Sequence, residues 1–359
     1  MRLTENITPS GQGTRLYRLF QCRAVRARTK IAGVRAAITG ASGHLGANLV
    51  RALVEEGHEV TALVREDVRP LEGLPVRAVA GDLFDPAALR RAFQHADVVF
   101  HLAARISIGG DRSGEVVRTN VVGVRGVVAA CLDVRVRRLV HVSSIHALSA
   151  HPAADPVDET RGPSDADADA PAYDRSKALG EREVLAGVAR GLDAVIVNPT
   201  GIVGPHDWKP SRMGRVVLAL ARGRMPALVD GGFDFVDARD VARAAIEAWR
   251  RGSRGERYLL SGSWWRIDDF ARAVARISGT RPPRLVVPMA LARLGAPVVE
   301  TLWRLAGAEP LFTRDSLYAL RSHRHIRHEK ASRELGYAPR PLEETLADTL
   351  AWFRARGRW

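Results

Sequence analysis

The most constraining feature of this chain is a short apolar run that stops in glycine. Arg35-Ala36-Ala37-Ile38-Thr39 has the length and composition of a buried strand, and apolar residues resume at helical spacing from Gly46 to Glu56, where Gly57 closes the helix. Between them lies Gly40-Ala41-Ser42-Gly43-His44-Leu45-Gly46. Glycines at 40, 43 and 46 leave backbone open where a Cβ would stand. The helix that follows offers free N–H groups and the positive end of its dipole. A pyrophosphate needs both, so a dinucleotide site is expected on Gly40, Ser42, Gly43, His44, Leu45 and Gly46. A glycine triplet alone could be only a tight turn; the strand–turn–helix setting carries the reading.

The pattern then repeats. Val60–Val64, Val76–Ala80, Val98–Leu102, Leu139–Val142 and Ala194–Val197 read as further strands. Helical stretches at Pro86–Gln94, Val121–Leu132 and Ser176–Ala189 alternate with them. Apolar strands alternating with helices specify an α/β fold with a doubly wound parallel sheet. Asp155–Pro171, rich in Asp, Ala and Pro, reads as a surface loop. After Asn198 the alternation loosens, with helices near Gly214–Arg222, Asp268–Ser278 and Leu342–Arg354, as in a smaller lobe beside the sheet. Pro288–Arg304 reads as a mostly buried helix or a wall of the substrate site. Leu285–Trp303 is broken by Arg293, Glu300 and two prolines, so no transmembrane segment is expected.

Charge narrows the function classes. The 359 residues carry a net charge of +14, which invites a nucleic-acid reading. Residues 1–35 account for half of it, with eight basic groups against Glu5. The folded body is only mildly basic and lacks any nucleic-acid-binding signature, so no nucleic-acid partner is expected. Residues 1–33 read as a disordered arm or as an extension from a start codon called too early. Two cysteines, Cys22 and Cys131, cannot build a disulfide framework or a zinc site, which suits a cytoplasmic protein.

Several side chains then stand where strands end. Arg65 follows the second strand, where an NAD site normally places a carboxylate, so a 2′-phosphate and hence NADP is favoured, with NAD possible because Glu66 and Asp67 come next. Asp82 and Leu83 follow the third strand, beside an adenine; Asp85 before Pro86 is the better helix cap. Leu102, Ala103 and Ala104 end the fourth strand and are small enough for the nicotinamide half to approach.

Tyr173 and Lys177 lie four apart at a helix start and so share a face. A free phenol titrates near ~10, and a neighbouring ammonium is expected to lower that value toward proton exchange. Only four lysines occur in the chain, which sharpens the pairing. Ser144, or alternatively Ser143, closes the fifth strand and can hydrogen-bond a carbonyl oxygen. His146 could touch substrate, although a lone histidine is more often structural. His323, His325 and His328 sit among arginines that oppose a cation, so no metal is expected.

In this order, TGASGHLG, Ser143-Ser144 and Tyr173-x-x-x-Lys177 resemble the extended short-chain dehydrogenase/reductases, the NAD-dependent epimerase/dehydratase group. Asn198-Pro199-Thr200-Gly201-Ile202-Val203-Gly204-Pro205, Phe233-Asp234-Phe235-Val236-Asp237-Ala238-Arg239-Asp240-Val241 and Lys330-Ala331-Ser332-Arg333-Glu334-Leu335-Gly336-Tyr337 resemble its dihydroflavonol 4-reductase-like branch. The resemblance implies a Rossmann domain over residues 34–200 and a mainly substrate-binding lobe over 201–359, with 233–262 returning to the sheet. It implies a catalytic set of Ser144, Tyr173 and Lys177, with Pro199 and Thr200 beside the cofactor, and a homodimer through helices. Sugar-nucleotide epimerases carry VYG after the serine; this chain has Ala147-Leu148-Ser149, which argues against a nucleotide sugar.

The function expected is NADP-dependent reduction of a ketone or aldehyde, or oxidation of the alcohol. The alternative is an epimerase or dehydratase recycling NAD; a sensor that binds NADP without turnover is a third reading. Ile106, Ser107, Trp208 and Phe233 are candidate pocket residues.

Overall fold

The computed structural model describes residues 33–107, 109–296 and 313–359. The expected extension over 1–33 and the second half of Pro288–Arg304 therefore lie essentially outside the described residues.

Seven strands form one parallel sheet: β1 (Arg35–Thr39), β2 (Glu59–Val64), β3 (Val76–Ala80), β4 (Val98–His101), β5 (Arg138–Val142), β6 (Ala194–Pro199) and a late strand, β10 (Arg257–Leu260). Their spatial order is β3-β2-β1-β4-β5-β6-β10, so the winding reverses between β1 and β4. All six pairings are parallel. This is the doubly wound parallel α/β sheet that the alternation of elements implied, in the Rossmann form that the family resemblance implied.

Alternation along each strand divides the core. Ala36, Ile38, Val98, Phe100 and Val140 pack on one face, with Leu49 and Leu53 of α1 (His44–Glu55) and Val241 and Ile246 of α7 (Ala238–Arg251). Ala37, Val99 and Leu139 pack on the other, against residues of α2 (Pro86–Phe93), α4 (Gly123–Asp133) and α5 (Ala172–Ala189). Central strands covered on both faces must be apolar throughout, which is why β4 and β6 contain no exposed residue.

The helix expected over Val121–Leu132 begins differently. A short turn, α3 (Glu115–Val117), runs into a π-helical turn over Arg118–Val122 before α4. The wide turn presents Asn120, whose Oδ1 accepts from the Arg105 backbone N–H while its Nδ2 donates to the Arg105 carbonyl and to Ser176 Oγ. At Gly180 of α5 an added Cβ would stand 2.5 Å from the Asn120 carbonyl oxygen. Glycine there lets α5 seat deeply against the turn.

The second half builds its own core. β7 (Gly201–Val203), β9 (Gly232–Asp237) and β11 (Ser263–Arg266) form a three-stranded sheet, and β8 (Ala227–Val229) pairs with β12 (Leu285–Val287). Val217 and Leu218 of α6 (Arg212–Ala221), Phe270 and Val274 of α8 (Ile267–Ser278), and Leu346, Leu350 and Phe353 of the last helix pack with Phe235. Of the 233–262 stretch, only Arg257–Leu260 enters the large sheet; 233–237 belongs to the small one. The described part of Pro288–Arg304 also departs from the mostly buried helix expected there, since Leu291 and Leu294 are exposed. α9 (Arg314–Ala319), α10 (Glu329–Leu335) and α11 (Leu342–Ala355) complete the chain.

The Phe233–Val241 motif is explained by an ionic knot. Buried Asp237 accepts from the Arg239 guanidinium at 2.7 Å and from Thr345 Oγ1 at 2.8 Å, and Arg340 pairs with Asp240 at 2.7 Å. Burial works against the Asp237 charge, but hydrogen bonds from Arg239 outweigh it and hold the carboxyl below its usual range. A carboxyl with a depressed folded-state pKa stabilises above its unfolded value and loses that contribution as pH falls. Asp237→Ala should cost about 1–3 kcal/mol, because it removes the buried partner of Arg239 and Thr345 while Arg239 keeps Asp348 and Arg340 keeps Asp240. Urea denaturation at neutral pH checks this, and the difference from the parent should shrink in acid.

Candidate active site

The ends of β1, β4, β5 and β6 converge where the winding reverses, and each sequence-derived site residue can be placed against them. Gly40 has φ +78°, and a Cβ there would stand 2.6 Å from the Ala103 amide nitrogen at the end of β4. Gly46 is pressed against the Gly40 carbonyl oxygen and the Ala41 backbone, with no room for a side chain. Gly43 caps α1 with no side-chain hydrogen bond, so the first N–H groups of the helix keep their capacity for a ligand. This cradle fits a dinucleotide pyrophosphate.

The other loop side chains are engaged in holding that cradle. Ser42 Oγ donates to the Asp67 carbonyl at 2.5 Å, tying the loop to the end of β2. His44 Nε2 lies 3.0 Å from the Gly204 carbonyl. Leu45 is buried in the core. Arg65 is exposed and has no hydrogen bond or ion pair among the described residues, whereas Asp67 is neutralised by a two-pronged contact with Arg69. Asp85 caps α2 through the Ala87 and Ala88 N–H groups. Asp82 is not wholly free, since its Oδ1 accepts from Phe84 N–H at 2.7 Å. Leu83 is buried, and Leu102, Ala103 and Ala104 line the end of β4. Pro199 ends β6, and the Thr200 hydroxyl donates to Asp234 at 2.6 Å, so that side chain is committed to the protein.

The hydroxyl pair forms at the end of β5. The Ser144 hydroxyl acts on the Tyr173 phenol, favouring its ionised form, and Ser144 Oγ accepts from His146 N–H at 3.2 Å. The Ser144 carbonyl is pinned by Asn198 Nδ2 at 2.9 Å; Asn198 is held in turn by Glu181, which pairs with Arg257. Ser143 Oγ is buried without a partner among the described residues. Of the two serines, Ser144 is the one that acts on the Tyr173 phenol.

Lys177 corrects one expectation. Its Nζ donates to the Val142 carbonyl at 3.1 Å, and burial lowers the ammonium to about 8 against the opposing charge of Glu181. Burial pushes the Tyr173 phenol up to about 12, with the Ser144 hydroxyl pulling the other way and the Asp174 charge adding to the rise. The phenol is therefore held protonated rather than acidified. The lysine serves the end of the strand, and desolvation is the largest influence on the phenol.

Histidines supply what sequence reasoning missed. His146 is not lone: its Nδ1 lies 3.0 Å from buried Asp174, its ring stacks on Phe233 at 5.9 Å, and Tyr173 and His323 meet its edges at 5.8 and 6.0 Å. Below Lys177, His101 and His141 stack with ring centroids 5.2 Å apart, and burial keeps both neutral. His328 Nδ1 bonds Ser261 Oγ, and no group of three or more His, Cys, Asp or Glu side chains among the described residues could hold a metal ion. Of the pocket candidates, Phe233 faces the site. Trp208 packs against Trp352 under the Arg356 guanidinium, Ser107 bonds the Gly110 carbonyl and Ile106 is exposed.

Known proteins share this arrangement of elements. Residues 36–261 match the model of the NAD dependent epimerase/dehydratase family. The chain is 40% identical over 326 residues to sterol demethylase protein B of Methylococcus capsulatus, across 89% of this chain and 98% of that protein. It is 34% identical to a Synechocystis protein provisionally named a dihydroflavonol 4-reductase, across 89% of this chain and 94% of that one. A crystal structure of a nucleoside-diphosphate-sugar epimerase from Pseudomonas aeruginosa matches with a TM-score of 0.75 at 29% identity, covering 91% of this chain and 100% of the other. With a family model spanning most of the chain and relatives aligned nearly end to end, the chain belongs to the NAD dependent epimerase/dehydratase family.

Proposed function

We propose that this protein is an NADP-dependent oxidoreductase that reduces a ketone or aldehyde carbonyl, with Tyr173 as the proton donor. The observation that carries the reading is the convergence at the end of β5 of the Ser144 hydroxyl, the Tyr173 phenol it acts on, and the buried Lys177 ammonium bonded to the Val142 carbonyl. A bound nicotinamide dinucleotide supplies or accepts the hydride. The first turn of α1 holds the pyrophosphate, Asp82 and Leu83 flank the adenine, and Ala103 and Ala104 lie along the nicotinamide half. Lys177 reaches the nicotinamide ribose from below.

Both hydroxyls hydrogen-bond the substrate oxygen. Ser144, fixed through its carbonyl by Asn198, orients that oxygen. Tyr173, protonated at neutral pH, transfers its proton as negative charge develops there. Arg65 takes the 2′-phosphate, a role supported by its lack of a partner and by the pairing of Asp67 with Arg69. A homodimer through α4 and α5 is part of the same proposal; Val122 and Leu185 are exposed apolar side chains on this side of the chain.

Tyr173→Phe should lower turnover by about 10²–10⁴-fold while leaving NADPH affinity near the parent value, as read by nicotinamide fluorescence. A variant with full activity overturns the role. Arg65→Ser should raise the KM for NADPH by about tenfold or more and leave the KM for NADH nearly unchanged. The ammonium near pH 8 gives a third expectation. Reductive kcat/KM should decline as pH rises past about 8 and Lys177 loses its charge, and Lys177→Arg should flatten that limb while lowering the rate. A pH–rate profile with a carbonyl panel checks it.

A further inference from the structure

The geometry points to His146, held by Asp174, as the docking group for a carboxylate that the substrate carries beside its reacting carbonyl, which makes a 3-oxo acid the favoured substrate class. The inference rests on the reductase reading and deepens it.

Geometry carries it first. Asp174 follows Tyr173 on α5, is buried, and lies 3.0 Å from His146 Nδ1. That bond fixes the ring and places the Nδ1 proton on the Asp174 side. Nε2 has no hydrogen-bond partner among the described residues, and the side chain keeps 15% of its surface in contact with solvent. The ring lies between Tyr173 and Phe233, at centroid distances of 5.8 and 5.9 Å. A group a few bonds from an oxygen held by Tyr173 and Ser144 falls within reach of this imidazole.

Charge gives the sign. Tyr173 and Asp174 face His146 from α5, Phe233 from β9, and His323 from the segment after α9. Burial disfavours the His146 charge, but the Asp174 carboxylate outweighs it and raises the imidazole above its ordinary value. His323 is lowered to about 4, mainly by burial and then by the charge of His146; its Nε2 bonds the Leu148 carbonyl. Asp174 thus favours the imidazolium, whose Nε2–H donates toward the same crevice as the protonated Tyr173 phenol. An anionic oxygen meets a charge-assisted donor there. A plain ketone leaves the donor to water.

The test separates docking from turnover. Calorimetry with excess NADPH, which forms an unreactive dead-end complex with an alcohol, would compare a medium-chain 3-hydroxy acid with the secondary alcohol lacking only its carboxylate. The parent should bind the acid at least about tenfold more tightly than the alcohol. His146→Phe should erase that difference and leave the alcohol's affinity in place. His146→Gln, which keeps a neutral donor, gives a second variant should the first fail to fold. Affinity for the acid should fall as pH rises through the His146 transition, and Asp174→Asn should move that fall to lower pH.

Equal binding of acid and alcohol by the parent overturns the inference. So does a uniform loss of both ligands in the His146 variants, which marks a structural role. A parent that distinguishes the two ligands, yet oxidises no NADPH with the matching 3-oxo acid or any other carbonyl, overturns the reductase reading and leaves the docking group standing.

Discussion

Lys177 Nζ bonded to the Val142 carbonyl is the contact on which the geometry of the site depends. A parallel strand that runs past its neighbours leaves its last carbonyls without ladder partners, and a buried carbonyl needs a donor. Here the donor comes from the helix that carries Tyr173, so one bond sets the height of α5 against β5. Gly180 permits the approach, and the clamp from Asn120 to Ser176 prevents rotation. Asn198, Glu181 and Arg257 then fix the Ser144 carbonyl from the neighbouring strands. Ser144 and Tyr173 are thus held in place independently, each through its own backbone.

Much of this was legible in the sequence because the constraints are local. Strands covered on both faces read as unbroken apolar runs, and glycines demanded by close backbone contact sit at fixed offsets. Tyr173 and Lys177 share a face through helical period alone. Asp85 announced itself as a cap by its proline neighbour. What stayed hidden was set by contacts between distant residues. His323 reaches His146 across the whole second half of the chain, and no spacing rule joins them. The π-helical turn at Arg118–Val122 carries Asn120, whose side chain bonds Arg105 and Ser176, and no spacing rule announces either partner. Trp208 reads as a pocket residue until Trp352 and Arg356 are seen to cover it.

The phenol shows why proximity in sequence is a poor guide to electrostatics. An ammonium one helical turn away was expected to acidify Tyr173. In the folded chain that ammonium is itself desolvated and bonded elsewhere, and burial of the phenol is the larger effect. A proton donor and a proton acceptor differ by such balances rather than by residue type. The same burial that makes Tyr173 a reluctant acid is offset at His146 by a carboxylate in direct contact.

Phe233 lies against His146, yet its strand is secured from much later in the chain. β9 ends in Asp237, which Thr345 and Arg340 grip from the entry to α11. The far wall of the crevice is thus cantilevered from the final helix, while its floor is anchored in the large sheet. Loosening that grip would let the wall drift while Ser144 and Tyr173 stayed in register. Variation along α11 can therefore alter which molecules fit without rearranging the atoms that react with them.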